Sequence, residues 1–366
     1  LGDAPTTPQA RSNYLYSARG KVEQSLQALG YYRAEIDMDL NRDATPWSLR
    51  ISVQPGEPVR LRRIDINISG EGSSDAALSD AVAAAPLRMG APLNHSEYER
   101  TRRSIATLAQ QRGYFEGKFD TARVEVEPVG GTADVTLHYA SGPRYTFGQL
   151  VHDQDIISEA LLEPLITVRE GEPYEQRRLS ETQAQLQRTG YFSTVILRPD
   201  LGMAEAGSVP LNMSLYPANR HSFDVGVGFS TDTRERVSVT WRTPKLNRWG
   251  HSQETRLQYS SINPSGNITY QIPMTHPLDD VLQLRARLED NEFGDLDSHQ
   301  KELGIRREKR RDSWVYSYAL RGLNEAWDAQ GLDRENDYLL PGVSLSQRKR
   351  KGPMVNPSFG FSQWYQ

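Results

Sequence analysis

The chain has 366 residues, of which 37% are hydrophobic, and a formal net charge of −4. This length suffices for two to four domains, and the acidic balance argues against nucleic acid as a partner. The absence of cysteine excludes disulfides, thiolate metal sites and a cysteine nucleophile. No stretch approaches the roughly 20 apolar residues of a membrane helix, but β-barrel strands escape this criterion because their apolar and polar residues alternate.

Three internal repeats organise the first part of the chain. In each repeat, apolar residues at helical spacing run into a glycine followed by two aromatic residues. The three copies of this motif are Gly30-Tyr31-Tyr32, Gly113-Tyr114-Phe115 and Gly190-Tyr191-Phe192. Each glycine is predicted to end a helix in the left-handed region, where a Cβ atom would clash. The aromatic residues are predicted to begin a strand and to pack back on the helix.

Each complete repeat is predicted to have the order strand, helix, helix, strand, strand. In the second repeat the last two strands are predicted at 122–129 and 133–139, and in the third at 193–199 and 209–216. The first helix of the third repeat is predicted at 157–166. Tandem units of this kind are usually scaffolds or binding modules, which favours interaction over catalysis.

The first repeat is predicted to be incomplete. It lacks an opening strand before its helix, and a first helix is not evident either. Leu1 to Pro5 have neither a basic start nor an apolar run. We therefore expect that a signal peptide has been removed or that the chain begins inside the mature protein.

From His221 the hydrophobic period changes to two, which predicts β-strands. In the first predicted strand, Phe223, Val225, Val227 and Phe229 alternate with polar residues and glycine. Eight strands and the start of a ninth at Pro353 are predicted, each near the about 9–11 residues of a tilted membrane strand. A soluble β-sandwich is the alternative interpretation.

Loop lengths favour a membrane β-barrel over the sandwich. Connections on the side of the repeats are predicted to be mostly short, at 243–250, 275–280, 309–312 and 347–352. Those on the opposite side are predicted to be longer, for example at 290–298 and 324–336. Short periplasmic turns and longer outer loops are typical of membrane barrels. An open sheet would leave backbone groups unsatisfied in lipid, so we expect the complete barrel to need further strands.

The repeats resemble POTRA domains, and the whole chain resembles the TamA family, which supplies the outer-membrane subunit of the translocation and assembly module and is related to BamA. Besides the three glycine-aromatic motifs, four further segments carry the resemblance. These are Gly142-Pro143-Arg144-Tyr145, Gly171-Glu172-Pro173-Tyr174, Gly226-Val227-Gly228-Phe229 and Gly250-His251-Ser252.

The resemblance implies an α+β fold of tandem POTRA modules (β-α-α-β-β) in the periplasm, followed by an antiparallel β-barrel in the outer membrane. The predicted domains are 1–58, 59–143, 144–219 and 220–366, the last holding about 8–9 of an expected 16 strands. It also implies insertion of client outer-membrane β-barrels, including autotransporters, into the lipid bilayer through a lateral gate. A TamB-like, inner-membrane-anchored protein is the implied partner of the POTRA modules.

The first barrel strand is the predicted lateral-gate strand, formed by Phe223, Val225, Gly226, Val227, Gly228 and Phe229. Glycine weakens a strand and permits bending, so these two glycines are consistent with a weak seam that admits a client strand. Alternatively, they make room for a loop in the barrel lumen or for strand curvature. The sequence leaves both interpretations open.

We expect no enzyme activity and no cofactor. No two of the seven histidines are closer than 14 residues, so no helical zinc motif exists, and no G-x-S-x-G nucleophile motif occurs. Three alternatives remain at this stage. They are a two-partner-secretion pore that moves a polypeptide, an outer-membrane hydrolase, and a non-enzymatic periplasmic binding protein.

Overall fold

A computed structural model describes residues 7–41, 48–230, 234–293, 296–329, 332–351 and 359–365. The chain folds as two compact units. One unit holds the first two repeats together with residues 171–176 and 205–208. The other holds most of the third repeat and all of the following strands. Because this division groups two repeats together, the boundaries of the individual repeats stay predictions.

The first repeat contains helix α1 (Pro8–Ala28) and the antiparallel strands β1 (Glu35–Asn41) and β2 (Ser48–Gln54). The Ala10 N–H donates to Thr7 Oγ1 at 3.2 Å, and Pro8 fills the first turn, where a missing N–H costs nothing. Thr7 and Pro8 therefore determine where α1 begins.

The second repeat is a complete β-α-α-β-β unit. Its elements are β3 (Arg60–Ser69), α2 (Ala76–Ala83), α3 (His95–Gln111), β4 (Lys118–Glu127) and β5 (Thr132–Ala140). The sheet order is β3-β5-β4, with β3 parallel and β4 antiparallel to β5. Helix α3 buries Tyr98, Ile105 and Ala109 at helical spacing against this sheet. The strand predicted at 133–139 lies in β5, whereas β4 begins four residues earlier and ends two residues earlier than the strand predicted at 122–129.

The third repeat has the same element order. Its elements are β6 (Thr146–His152), α4 (Glu159–Leu162), α5 (Gln176–Arg188), β7 (Phe192–Pro199) and β8 (Ser208–Pro217), with sheet order β6-β8-β7. The helix predicted at 157–166 is shorter than expected. It continues from α4 only as a 3-10 turn at Glu163–Leu165, because Pro164 lacks the N–H that would extend the α-helical ladder.

The remaining strands form one antiparallel sheet in which each strand neighbours the next along the chain. They are β9 (Ser222–Ser230), β10 (Arg234–Thr243), β11 (Ser252–Ser260), β12 (Ser265–His276), β13 (Asp280–Phe293), β14 (Leu296–Arg311), β15 (Trp314–Ala329), β16 (Leu332–Lys351) and β17 (Phe359–Tyr365). The predicted meander of eight strands and a ninth is confirmed within the described residues. Pro353, the predicted start of the ninth strand, lies outside them.

The predicted long loops at 290–298 and 324–336 are wrong. The strands extend into both segments, so that Phe293 pairs with Leu296 and Ala329 with Leu332. Strands β13 to β16 are accordingly 14, 16, 16 and 20 residues long, well above the predicted length. Backbone pairing does not need apolar side chains, so polar hairpins extend the ladder beyond the apolar part of each strand.

Candidate interaction surfaces

Strand β9 is one edge of the nine-stranded sheet. Within the described residues it pairs only with β10, in a register that places Val225 opposite Val239 and Val227 opposite Val237. Its apolar side chains share one face and are exposed, Val227 by 82% and Phe229 by 80%. The strand therefore presents an apolar face and an edge of backbone N–H and C=O groups.

One end of β9, where β8 leads into it, is held by side chains on both faces. On the polar face, Asp224 pairs with Arg242, which also contacts Glu254. On the apolar face, Phe223 stacks on Trp241, with ring centroids 6.1 Å apart. We call this end of the sheet the module-side end. It anchors β9 to its neighbour.

The other half of β9 is held more lightly. Gly226 and Gly228 place no side chain on the polar face. A Cβ atom at Gly226 would lie 2.8 Å from Ser238 Oγ, whereas one at Gly228 would meet nothing within 4 Å. Gly226 thus leaves room for the Ser238 side chain of β10, and Gly228 leaves open space. All the residues of the predicted gate strand lie in β9, anchored at one end and lightly packed along the rest.

The glycine-aromatic motifs join one repeat to the next through the same backbone bonds. At the first junction, the Val59 N–H donates to Gly30 O and the Leu93 N–H to Val59 O, both at 2.8 Å. At the second, the Tyr145 N–H donates to Gly113 O and the Tyr174 N–H to Tyr145 O, both at 2.9 Å. The same two backbone hydrogen bonds, the first of them to the glycine carbonyl, therefore form at both junctions.

Glycine is required at these junctions for two reasons. Gly30 and Gly113 have φ values of +91° and +90°, which confirms the left-handed helix ends. A Cβ atom would lie 2.6 Å from Leu93 O at Gly30 and 2.8 Å from Tyr174 Cβ at Gly113. Gly190 is also left-handed, with φ +73°, but its Cβ would make only an ordinary 3.6 Å contact with Pro244.

The prediction that the aromatic pair begins a strand is wrong for the first two repeats, whereas packing back on the helix is confirmed for Tyr114. There β1 and β4 begin several residues later, and the second aromatic residue contacts the following repeat. Tyr32 Oη lies 2.7 Å from His95 Nε2, and Phe115 packs edge-on against Tyr145 and Tyr174, at centroid distances of 5.5 and 4.8 Å. Tyr114, by contrast, is buried in the core of its own repeat. Only in the third repeat does an aromatic residue of the motif, Phe192, open a strand.

A buried carboxylate reinforces the second junction. The Asp75 side chain is 3% exposed and accepts hydrogen bonds from Arg112 Nε at 2.6 Å and from the Tyr114 hydroxyl at 3.2 Å. It also caps helix α2 by accepting the Ala77 N–H at 2.9 Å. Burial alone would raise the pKa of Asp75, but the hydrogen bonds from Arg112, Ala77 and Tyr114 outweigh it and hold this pKa below its usual value.

Arg144 extends this network into the segment that leads to the third repeat. Its Nε donates to Arg112 O at 2.9 Å, and its backbone N–H donates to Glu71 Oε2 at 2.8 Å. Glu175 lies 3.5 Å from the Arg112 guanidinium and 3.6 Å from that of Arg144. The two guanidinium groups thus share two carboxylates, Asp75 and Glu175, while Glu71 accepts a backbone N–H. The sequence marked Arg144 only as part of a linker motif.

In the second unit, the third repeat contacts the β10–β11 turn of the sheet. The Tyr191 hydroxyl donates to Gly250 O at 2.9 Å, and burial raises the pKa of Tyr191 to about 12. The Ser158 N–H donates to Arg248 O at 2.8 Å, and Lys245 Nζ to Ile156 O at 2.9 Å. A Cβ atom at Gly250 would lie 2.6 Å from the Tyr191 hydroxyl oxygen. The turn has glycine at this position because any side chain there would clash with Tyr191.

The described residues hold no cluster of three or more His, Cys, Asp or Glu side chains suited to a metal ion. Among the helices that the structure describes, none has the length and apolar character to cross a membrane. The candidate interaction surfaces are therefore the exposed edge of β9, the two hydrogen-bonded junctions between repeats, and the contact of the third repeat with the β10–β11 turn.

Two family descriptions match the first two repeats. Residues 1–55 match "POTRA domain TamA domain 1", and residues 63–142 match the POTRA family described as "Surface antigen variable number repeat". These matches cover the glycine-aromatic motifs of both repeats.

The chain is 22% identical over 261 residues to the outer membrane protein assembly factor BamA of Neisseria meningitidis serogroup B, an alignment that covers 69% of this chain and 32% of that protein. The chain thus spans about a third of this curated relative. Its fold is similar to the crystal structure of Haemophilus ducreyi BamA lacking POTRA domains 1–3, with a TM-score of 0.63 and 13% identity over 81% of this chain and 60% of that one. The fold is therefore POTRA-type β-α-α-β-β modules followed by part of a BamA-like antiparallel barrel.

Proposed function

We propose that this chain, a BamA-related protein with its POTRA domains in the periplasm and its strands in an outer-membrane β-barrel, helps to insert client β-barrel proteins through a lateral gate at β9. It does so without chemistry of its own. The observation that carries the proposal is the asymmetry of β9, which is anchored at its module-side end and lightly held from Gly226 onward.

The physical basis is the cost of an unpaired strand edge in lipid. Backbone N–H and C=O groups without partners cost several kcal/mol each in an apolar medium. A client strand that pairs with β9 satisfies both edges at once, as in strand addition. The anchored end keeps the register of β9 fixed, while the glycine-containing half bends to receive the client.

We further propose a TamA-type role, in which autotransporter-type barrels are clients and a TamB-like, inner-membrane-anchored protein binds the POTRA modules. The match of residues 1–55 to a TamA-type POTRA domain supports this assignment. The bonded junction at Gly30 supports a first and second module that act together, because it joins them backbone to backbone.

The flexible half of β9 provides a test in the full-length protein. A Cβ atom added at Gly228 meets no neighbouring atom within 4 Å, so the barrel of the Gly228→Val variant is expected to fold. Valine stabilises the extended strand by about 1 kcal/mol over glycine, so client insertion should slow about fivefold. The rate of client insertion into liposomes measures this effect.

Gly342→Val is the matched control. Gly342 lies in the interior strand β16, where an added Cβ would make an ordinary 3.8 Å contact with Ala319 Cβ. Its rate should equal that of the wild type. Equal rates for both variants would show that bending of β9 is not used.

A further inference from the structure

The apolar face of the sheet contains a groove of 480 Å³ away from the β9 edge. Paired residues on neighbouring strands share a face, so the register places Leu284, Ile305 and Leu320 side by side on it. The groove exists because small residues, Ala286 and Gly322, interrupt the larger side chains. Its main walls are Ile268, Leu284, Leu303, Ile305, Leu320 and Leu339.

Toward the module-side end, the same face of β14 carries three cations. The register sets each beside an aromatic residue of β15: Arg307 beside Tyr318, Lys309 beside Tyr316, and Arg311 beside Trp314. Alternate residues of a strand share a face, so these three follow Ile305 in line. The groove therefore leads directly into a ladder of basic and aromatic side chains.

Among the residues that the structure describes, only the cation nearest the groove has a close carboxylate partner of its own. Arg307 makes two 2.9 Å hydrogen bonds to Asp280, whose side chain is 2% exposed. Lys309 lies 3.9 Å from the same carboxylate and is half exposed. Arg311 is exposed.

The nearby carboxylates do not balance Lys309 and Arg311. Glu308 faces Arg306, and Asp279 lies by Arg310; both arginines are on the opposite face of β14. Asp312 lies in the β14–β15 turn. Within the described residues, this part of the apolar face thus has one buried carboxylate, Asp280, for three cations.

We propose that this surface is a binding site for one anionic phospholipid, with an acyl chain in the groove and the phosphate between Lys309 and Arg311. Charge complementarity identifies the occupant. A cation on a lipid-facing strand is costly at the midplane but favourable at the headgroup level, where anionic lipids attract it.

The dimensions agree with this placement. Arg311 follows Ile305 by six residues, which is about 20 Å along a strand. Barrel strands are tilted by roughly 40°, so this distance corresponds to about 15 Å of depth, half the thickness of a hydrocarbon core. A groove placed near the midplane sets the basic residues at the periplasmic headgroups, because β8 of the third repeat leads into the sheet at that end.

The test uses the full-length protein in nanodiscs with spin-labelled phosphatidylglycerol or spin-labelled phosphatidylcholine as probes. The double variant Lys309→Gln/Arg311→Gln should lower the preference for phosphatidylglycerol about fivefold per charge removed. Arg310→Gln, on the opposite face between the two, is the matched control and should keep the preference. An unchanged preference in the double variant, or an equal loss in the control, overturns the proposal.

Filling the groove tests the acyl part separately. A Cβ at Gly322 would come no closer than 4.0 Å to Leu303 O, so Gly322→Leu should fold and reduce the immobilised fraction of both lipids. Heat-modifiable gel migration first establishes that each variant is folded. An unchanged immobilised fraction, or a photo-cross-linker at Leu303 that captures a polypeptide in place of lipid, overturns the site.

Discussion

A disulfide between a cysteine at Val227 and one on the last strand of the complete barrel is expected to reduce client insertion to background. The bond holds Cα atoms within about 4.4–6.8 Å, which leaves no space for a client strand at the β9 edge. Reduction should restore insertion fully, because no residue that binds the client has been removed. Insertion of a radiolabelled client barrel, compared under oxidised and reduced conditions, measures the effect.

The control is a disulfide inside the hairpin that is already paired. Val239 and Leu257 are Cα partners across β10 and β11, so a cysteine pair at these positions locks nothing that must open or bend. Insertion through this variant should match the wild type in both redox states. If the disulfide between Val227 and the last barrel strand also leaves insertion unchanged, the barrel interior or the POTRA modules must carry the client, as in a secretion pore.

Replacing Asp75 with alanine is expected to destabilise the second repeat by about 3 kcal/mol. The substitution removes the helix cap at Ala77 and leaves Arg112 and the Tyr114 hydroxyl without their buried acceptor. Glu175 remains 3.5 Å from Arg112 and offsets part of the loss. Hydrogen exchange at the amides of α2 and α3 in the full-length protein measures the change in the free energy of opening.

The Asp75→Asn variant tests the contribution of the negative charge separately from that of the helix cap. Asparagine still accepts the Ala77 N–H, so it should lose less stability than alanine. Because the folded pKa of Asp75 is lowered, its contribution is present above the unfolded pKa of about 3.9 and is lost as the pH falls through the lower folded pKa. The asparagine variant should lack this acid-dependent loss. Equal exchange in both variants and the wild type would remove Asp75 from the account of the junction.

The element order of the repeats and the alternating strands follow directly from sequence periodicity. The apolar spacing on α3 and the alternation along β9 are each properties of a single element. A local sequence pattern therefore suffices to predict the helix and the strand. The glycines at 30 and 113 were likewise predictable as helix ends, because a left-handed residue is a local requirement.

Contacts between elements distant in the chain were not predictable. Nothing near Phe115 indicates that it packs against Tyr174 of the next repeat, and nothing near Tyr191 indicates that its hydroxyl donates to Gly250. The hairpins at 290–298 and 324–336 were mistaken for loops because their polar residues hide backbone pairing, which depends on the register with the neighbouring strand.

The most direct test of the lateral gate is a disulfide map between β9 and a client strand during insertion. Single cysteines at Phe223, Val225, Val227 and Phe229 are each combined with single cysteines along the terminal strand of a client barrel. A lateral gate at β9 predicts cross-links in a fixed register, strongest at Val227 and Phe229, weak at the anchored Phe223, and absent from Val239 on the interior strand β10. Insertion that proceeds without cross-links to β9, or with equal cross-links to Val239, would contradict the account.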